Sequence, residues 1–114
     1  MKIIYFFILI FSLSGCQNDN SSSKVTYNET QAKELYKKCQ RCHGKKAELH
    51  ALRRSDIIAY YKKEDIVKAL KAYKKGKRDR HRYGYLMKGI VSDLSEYDIN
   101  ILAEYISKFK KSNK

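Results

Sequence analysis

The sequence predicts a small all-α domain, and three observations support this. Three segments carry apolar residues at helical spacing, no segment has a sustained period of two, and no hairpin turn signal occurs. The chain has 114 residues, which allows one small domain. The 25 Lys and Arg against 12 Asp and Glu give a net charge of +13. This composition excludes a multidomain enzyme, a polytopic membrane protein and a disulfide-dense miniprotein.

The N-terminus predicts an export signal. Lys2 precedes an apolar run from Ile3 to Leu13, and small residues follow. The run is shorter than the roughly 20 residues of a transmembrane helix, and its order of charge, apolar run and small residues is typical of a secretory signal peptide. It ends in Leu13-Ser14-Gly15-Cys16, which resembles a bacterial lipobox. We predict a lipoprotein signal peptide at residues 1–15 and lipidation of Cys16. The alternative is ordinary signal peptidase cleavage.

The stretch after Cys16 contains polar residues up to Lys24. Such a stretch buries no apolar surface and predicts a flexible tether. We therefore divide the mature chain into a lipid-anchored tether at 16–27, a folded domain at 28–110 and a polar tail at 111–114. The expected location is the periplasmic side of a bacterial membrane, where the lipid anchor holds the protein.

Each predicted helix has an apolar face and a signal at one end. The faces comprise Ala32, Leu35, Tyr36 and Cys39 in the first helix, Ile66, Ala69, Leu70 and Tyr73 in the second, and Ile99, Leu102, Ala103, Ile106 and Phe109 in the third. Asn28 with Gln31 and Ser95 with Asp98 form capping-box patterns before the first and third helices. Gly76 is expected to end the second.

The excess of positive charge is interpreted mainly as solvated surface. Lysines surround the second helix, and residues 77–82, which we call the basic loop, read Lys-Arg-Asp-Arg-His-Arg. A basic loop can bind nucleic acid, but an exported lipoprotein rarely meets any. No nucleic-acid partner is therefore predicted.

The residues that carry chemistry are Cys39-Gln40-Arg41-Cys42-His43. C-x-x-C-H is the attachment signature of a c-type haem. Two thiols at this spacing can each add to one vinyl group on the same porphyrin edge, and the following histidine can bind the iron. We predict one covalent haem c, with Cys39 and Cys42 as thioether residues and His43 as the proximal iron ligand.

Other interpretations of the two cysteines exist. A thioredoxin-like redox pair needs a βαβ context, which the helical pattern does not provide. A structural zinc site needs a second pair of ligands, and His50 and His81 lie far apart in the sequence. A disulfide in an oxidising compartment is the third alternative. The cysteine count favours haem, because Cys16 belongs to the lipobox and the motif uses the other two.

After the signal peptide the sequence contains one methionine, Met87, which is a candidate ligand on the distal side of the iron. It is expected in a glycine-flanked loop, residues 84–89, ahead of the last helix. A thioether stabilises ferrous iron and raises the reduction potential, so Met87 is predicted as the distal ligand. Two alternatives remain: Met87 fills a gap in the core, or His81 or His50 binds the iron and gives a bis-histidine haem.

The chain resembles the class I monohaem cytochromes c, most closely the small bacterial periplasmic ones. The resemblance lies in Leu35-Tyr36-Lys37-Lys38-Cys39-Gln40-Arg41-Cys42-His43-Gly44, in residues 69–76 and 86–89, and in residues 94–106. It implies a small class I cytochrome c fold, in which the N- and C-terminal helices pack around one covalently bound haem. It also implies a contact between these helices that involves Ala32, Tyr36 and Tyr105.

One departure from the family concerns the proximal histidine. Class I members often have a proline whose carbonyl accepts a hydrogen bond from the imidazole, and this chain has no proline. Another carbonyl between Gly44 and Ser55 is then expected to orient His43.

The resemblance implies an electron carrier rather than an enzyme, because an iron with both axial positions filled by protein cannot bind substrate. The expected partners are an oxidase, a peroxidase or a quinol-oxidising complex with an acidic docking patch. The lysines expected to face such a partner are Lys45, Lys46, Lys77 and Lys88. The alternatives are a haem sensor with a labile distal ligand, and a haem-free binding protein with a Cys39–Cys42 disulfide.

Overall fold

The computed structural model describes residues 26–112, and this part of the chain contains α-helices and 3-10 turns but no strand. The all-α prediction is therefore confirmed. The α-helices are α1 (Glu29–His43), α2 (Lys63–Lys74), α3 (Gly84–Val91) and α4 (Glu96–Ser112). Two 3-10 turns, Ala51–Arg53 and Ile58–Tyr60, lie between α1 and α2. None of the helices in residues 26–112 is both long and apolar enough to span a bilayer.

Most of the N-terminal predictions concern residues outside the described part of the chain. These are the signal peptide at 1–15, Cys16 and most of the tether. Thr26 and Tyr27, at the end of the predicted tether, pack against α4: the Tyr97 hydroxyl donates to the Thr26 carbonyl at 3.0 Å, and Lys108 Nζ lies 3.7 Å from the Tyr27 ring centroid. Helix α4 also continues to Ser112, into the stretch interpreted as a polar tail.

The ends of the helices follow the predicted signals closely. Asn28 Oδ1 accepts a hydrogen bond from the Gln31 amide at 3.0 Å, which caps α1. The Gln31 side chain does not complete the predicted box, because it donates to Asp98 Oδ1 at 2.9 Å and so joins the starts of α1 and α4. Before α4, Ser95 and Asp98 form both bonds of their capping box, at 2.9 and 3.0 Å.

Helix α2 ends at a left-handed glycine, as predicted. Gly76 has φ 68°, its amide donates to Tyr73 O, and the Lys77 amide donates to Ala72 O, both at 2.9 Å. These two bonds form a Schellman motif, which satisfies carbonyls that the helix leaves free. The motif reverses the chain and leads it into the basic loop.

The expectation of a loop around Met87 is wrong, because residues 84–91 form α3. The Asp79 carboxylate accepts the Gly84 amide at 2.9 Å, and the Leu86 and Met87 amides bond to Tyr83 O. A Cβ on Gly84 would lie 2.2 Å from the Arg78 carbonyl oxygen. Glycine is therefore needed here for a close backbone approach at the start of a helix, and not for loop flexibility.

The core lies where α1 and α2 pack against α4. Ala32 is fully buried, and the rings of Tyr36, Tyr105 and Phe109 form a cluster with centroids 5.0–5.5 Å apart. Tilted and edge-on aromatic pairs at these distances are favourable beyond their buried area. The predicted contact between the N- and C-terminal helices is therefore present, with Tyr36 and Tyr105 in it.

Candidate haem-binding site

An open cavity of about 250 Å³, which we call the cleft, lies between the C-terminal end of α1, the 3-10 turns, α2 and α3. The four side chains predicted to hold the haem all line it: Cys39, Cys42, His43 and Met87. His81 lines it too. His50 does not, and its Nδ1 lies 2.6 Å from the Ser55 carbonyl oxygen.

Helix α1 presents its three site residues on one face. Cys39, Cys42 and His43 are spaced i, i+3 and i+4, so their side chains point in similar directions over the last turns of the helix. Both thiols are free, with Cys42 exposed and Cys39 partly buried. Gly44 then ends the helix at φ 87°, and its amide donates to Gln40 O at 3.0 Å. The motif is thus a rigid helix end and not a mobile loop.

The His43 ring is buried, with 7% of its surface exposed, and its Nδ1 has no hydrogen-bond partner within residues 26–112. Burial lowers the pKa of this imidazole, so the ring is neutral near neutral pH. Neutral imidazole is the form that binds a metal. The expected carbonyl between Gly44 and Ser55 is not within bonding distance of Nδ1. The Gly44 carbonyl instead accepts from the Tyr36 hydroxyl at 2.6 Å.

Burial also raises the pKa of the Cys39 thiol to about 11, although the charge of Lys38 opposes this rise; the neighbouring Cys42 makes a smaller contribution in the same direction as burial. Cys39 is therefore a neutral thiol at physiological pH. A neutral sulfur suits an apolar wall, because a buried thiolate without a partner would be costly.

Most of the cleft wall is apolar. The wall residues beside the motif and Met87 include Leu52, Ile58, Ile66, Ala69, Leu70, Leu86, Ile90 and Ile106. Such a wall excludes water and is typical of a site for a large apolar cofactor.

One end of the cleft is polar and carries an ion-pair network. The Asp56 carboxylate accepts from the Tyr61 hydroxyl at 2.5 Å and lies 3.0 Å from Arg80 Nη1 and 3.8 Å from His81 Nε2. The Tyr61 hydrogen bond, with the Arg80 charge, holds the pKa of Asp56 below its usual range. Arg78 also lines this end; its Nε is buried without a hydrogen-bond partner in the described residues.

The interpretation of the basic loop as solvated surface is therefore wrong in part. Arg78, Arg80 and His81 line the cleft. The reason is geometric: the loop joins α2 to α3, and the close contact of Gly84 with the Arg78 backbone brings it across the end of the cleft. In the sequence, these cationic residues lie between the apolar second helix and Met87, and this position is the signal that indicates a role at the cleft.

The donor set fits a covalently held haem. Two thiols and a neutral imidazole lie on one helix, a thioether lies on another, and the walls between them are apolar. The buried Arg78 Nε is an unsatisfied donor at the polar end, where it suits the carboxylate of a haem propionate.

This combination of an all-α fold and a C-x-x-C-H helix facing an apolar cleft defines the class of small haem electron carriers. The family model described as Cytochrome c matches residues 30–110, and the chain belongs to this family. It is similar to cytochrome c-553 from two strains of Helicobacter pylori, with 36% identity over 81 residues, or 71% of this chain and 80% of each relative. None of the solved structures gives a significant match.

Membership of the family confirms the class I monohaem fold, the covalent haem c and haem-mediated electron transfer. Cytochromes c exchange electrons with redox partner proteins and are generally exported to the periplasmic side of the membrane. The homologous cytochromes c-553 are electron carriers, in line with the expectation of a non-enzyme. The roles of the individual site residues stay predictions.

Proposed function

We propose that this protein is a non-enzymatic electron carrier in which Cys39 and Cys42 hold the haem and His43 and Met87 are its axial ligands. The observation that carries the proposal is that these four side chains line one apolar cleft. When bound, the haem iron takes up and releases one electron. Protein ligands on both axial positions leave no open site for substrate, and the apolar wall limits access of water to the iron.

Met87 is favoured over His81 as the distal ligand because of their surroundings. Met87 lies on α3, whose start is fixed by the Asp79 cap and the close contact of Gly84 with the backbone. His81 lies in the polar end, where its buried Nε2 has no hydrogen-bond partner in the described residues and lies 3.8 Å from the Asp56 carboxylate. The neighbours of His81 are the charged groups Asp56 and Arg80, whereas Met87 is partly buried among apolar neighbours, which suit a thioether ligand.

We propose that the haem carboxylates face the polar end. Arg78 supplies a buried donor without a partner, and its guanidinium carbon lies 5.3 Å from the Tyr73 ring centroid, which limits its movement. Asp56 neutralises part of the charge of Arg80. The end is left with a surplus of positive charge that matches an anionic group.

The mouth of the cleft is proposed as the docking surface for an acidic redox partner. Tyr85 is 69% exposed on α3, and Leu52, Leu86 and Ile90 are exposed although they also line the cleft. The four predicted docking lysines are exposed, and none forms an ion pair within residues 26–112: Lys45, Lys46, Lys77 and Lys88. An apolar contact area on a chain with unpaired surface cations favours an anionic partner, because the positive charge accelerates the approach of that partner.

Reversing one of these charges is expected to slow oxidation of the reduced protein by ferricyanide, an anionic probe. Lys88→Glu changes the local charge by two units, and at about 10 Å in water this is worth about 0.8 kcal/mol for each charge on the probe. Ferricyanide carries three negative charges, so the unscreened effect is about 2.5 kcal/mol; salt reduces it, and we expect the rate at low ionic strength to fall by at least about fourfold. Stopped-flow rates over a salt series measure the effect.

The matched control is Lys33→Glu, which makes the same change of net charge near the start of α1. It should alter the ferricyanide rate much less. With a cationic cobalt(III) tris-phenanthroline probe, Lys88→Glu should raise the rate instead. Equal effects of both variants on both probes would contradict a docking surface at the cleft mouth.

The protein is further proposed to be a lipoprotein on the periplasmic side of a bacterial membrane. The support is the order Leu13-Ser14-Gly15-Cys16 after an apolar run. In the described structure the chain enters the domain at Thr26, at the start of α1, whereas Cys39 and Cys42 lie at the other end of this helix. An anchor there would leave the cleft mouth accessible to a partner.

Intact mass of the membrane-extracted protein is expected to show residues 1–15 removed and Cys16 carrying two or three acyl chains. Several chains hold a protein stably on a bilayer, whereas one does so only marginally. Cys16→Ser should release the protein from the membrane fraction or leave it unprocessed. A soluble wild-type form with a free Cys16 thiol would contradict the proposal.

A further inference from the structure

Tyr36 makes a buried hydrogen bond next to the proximal histidine. Its side chain is 2% exposed, and its hydroxyl donates to the Gly44 carbonyl at 2.6 Å. Gly44 directly follows His43, so the Tyr36 hydroxyl binds the carbonyl of the peptide group between Gly44 and Lys45, immediately after the motif. Burial raises the pKa of this phenol well above its usual value, so it remains a donor throughout the physiological pH range.

Residues 43–49, which we call the turn, are held mostly by bonds of their own, and the Ala59 amide also donates to Ala47 O at 3.1 Å, which ties the turn to the second 3-10 turn. The Ala47 amide donates to Gly44 O at 3.3 Å and the Leu49 amide to His43 O at 3.0 Å. The Glu48 carboxylate accepts the Lys46 amide at 2.7 Å. The Tyr36 hydroxyl is the side-chain bond that holds the Gly44 carbonyl, next to His43, to the middle of α1, eight residues earlier.

The His43 ring lacks the usual second support. Metal-binding histidines generally donate their other ring nitrogen to an acceptor, which fixes the ring direction. Here Nδ1 is buried and has no partner in the described part of the chain. The ring direction then depends on packing and on the backbone that carries it, and that backbone is fixed on its C-terminal side by the Gly44 peptide group.

We propose that Tyr36 is a positioning residue for the haem site. Its hydroxyl fixes the Gly44 carbonyl, and thereby sets the direction in which the His43 ring enters the cleft. In other metal-binding histidines, an acceptor for the second ring nitrogen fixes the direction of the ring. Here the Tyr36 hydroxyl fixes the direction of the His43 ring through the backbone. This inference rests on the proposed role of His43 as the proximal ligand.

The test is Tyr36→Phe in the full-length holoprotein, since it removes the hydroxyl and keeps the ring in the aromatic cluster. Losing one buried hydrogen bond is expected to speed amide exchange of Ala47 and Leu49 by about tenfold relative to core amides of α4. In the ferric protein, the paramagnetic NMR shifts of the His43 ring protons should change, and the reduction potential should move with them.

Tyr105→Phe is the matched control. Its ring centroid lies 5.5 Å from that of Tyr36, and no hydrogen bond of its hydroxyl occurs in residues 26–112. It should leave the turn amides and the His43 shifts as in the wild type. If Tyr36→Phe and Tyr105→Phe change the His43 shifts equally, and amide exchange rises uniformly across the domain, Tyr36 contributes packing alone. That result overturns the inference.

Two wild-type measurements do not depend on the folding of a variant. The Tyr36 hydroxyl proton should exchange slowly and show a nuclear Overhauser effect to the turn; exchange as fast as that of exposed Tyr85 would overturn the inference alone. If the His43 ring shows no paramagnetic shift at all, His43 is not the ligand. That result overturns the proposed function and the inference together.

Discussion

Replacing Cys39 and Cys42 together by alanine is expected to abolish covalent attachment of haem and to reduce the yield of holoprotein to near zero. The two thiols lie on one face at the end of α1 and open into the cleft, with no other cysteine in the described residues. An attached group that buries the cleft walls only in the folded state stabilises that state. Its loss leaves the apolar walls exposed to water, so the variant should also unfold more easily.

Extraction with acidified acetone measures this outcome directly. The wild-type polypeptide should keep its colour, and the double variant should yield free haem or none. His43→Ala should lower the holoprotein yield as severely, because the imidazole also faces the cleft. His50→Ala is the control, since His50 lies outside the cleft and should leave the yield unchanged. Colour that stays on the double variant would contradict the attachment sites.

Met87→Ala is expected to have the second largest effect, by opening the iron to external ligands. The variant should become high-spin and bind carbon monoxide, whereas the wild type should be low-spin in both oxidation states and resist it. Met87→His should remain low-spin with a lower reduction potential, because sulfur favours ferrous iron and imidazole does so less. The ferric wild type should show the weak long-wavelength band of an iron–sulfur bond.

His81→Ala decides between the two distal candidates. His81 lines the cleft beside Asp56, so its removal should alter the polar end and leave the iron low-spin. If His81→Ala gives a high-spin haem and Met87→Ala does not, the protein is a bis-histidine cytochrome of lower potential. Carbon monoxide binding by the wild type would favour the alternative of a haem sensor with a labile distal ligand.

Local patterns predicted much of this fold. The apolar faces and caps of α1, α2 and α4 are local features, and each helix lies where its pattern placed it. Helix α3 was missed because Gly84 and Gly89 read as loop signals. The glycine at 84 is instead required by the Arg78 carbonyl, 2.2 Å from where a Cβ would lie. This close contact of the two backbone segments is a tertiary contact, and residue spacing in the sequence does not predict it.

The haem site also has a part that local sequence predicts and a part that depends on tertiary contacts. Cys39, Cys42 and His43 are neighbours on one helix, so their motif alone brings them together. The polar end depends on a tertiary contact between Asp56 and Arg80, and the sequence does not separate a cation that faces a cleft from one that faces solvent. The bond from Tyr36 to Gly44 was also missed, because periodicity places Tyr36 on a buried face without naming a partner for its hydroxyl.

Covalent attachment and protein ligation of one haem are tested most directly by the visible spectrum of the purified protein, reduced with dithionite, before and after extraction with acidified acetone. One covalent haem with two protein ligands predicts a sharp low-spin ferrous α-band and a Soret band, with the colour retained on the polypeptide after extraction. A protein with no Soret band, and with Cys39 and Cys42 joined in a disulfide, would contradict it.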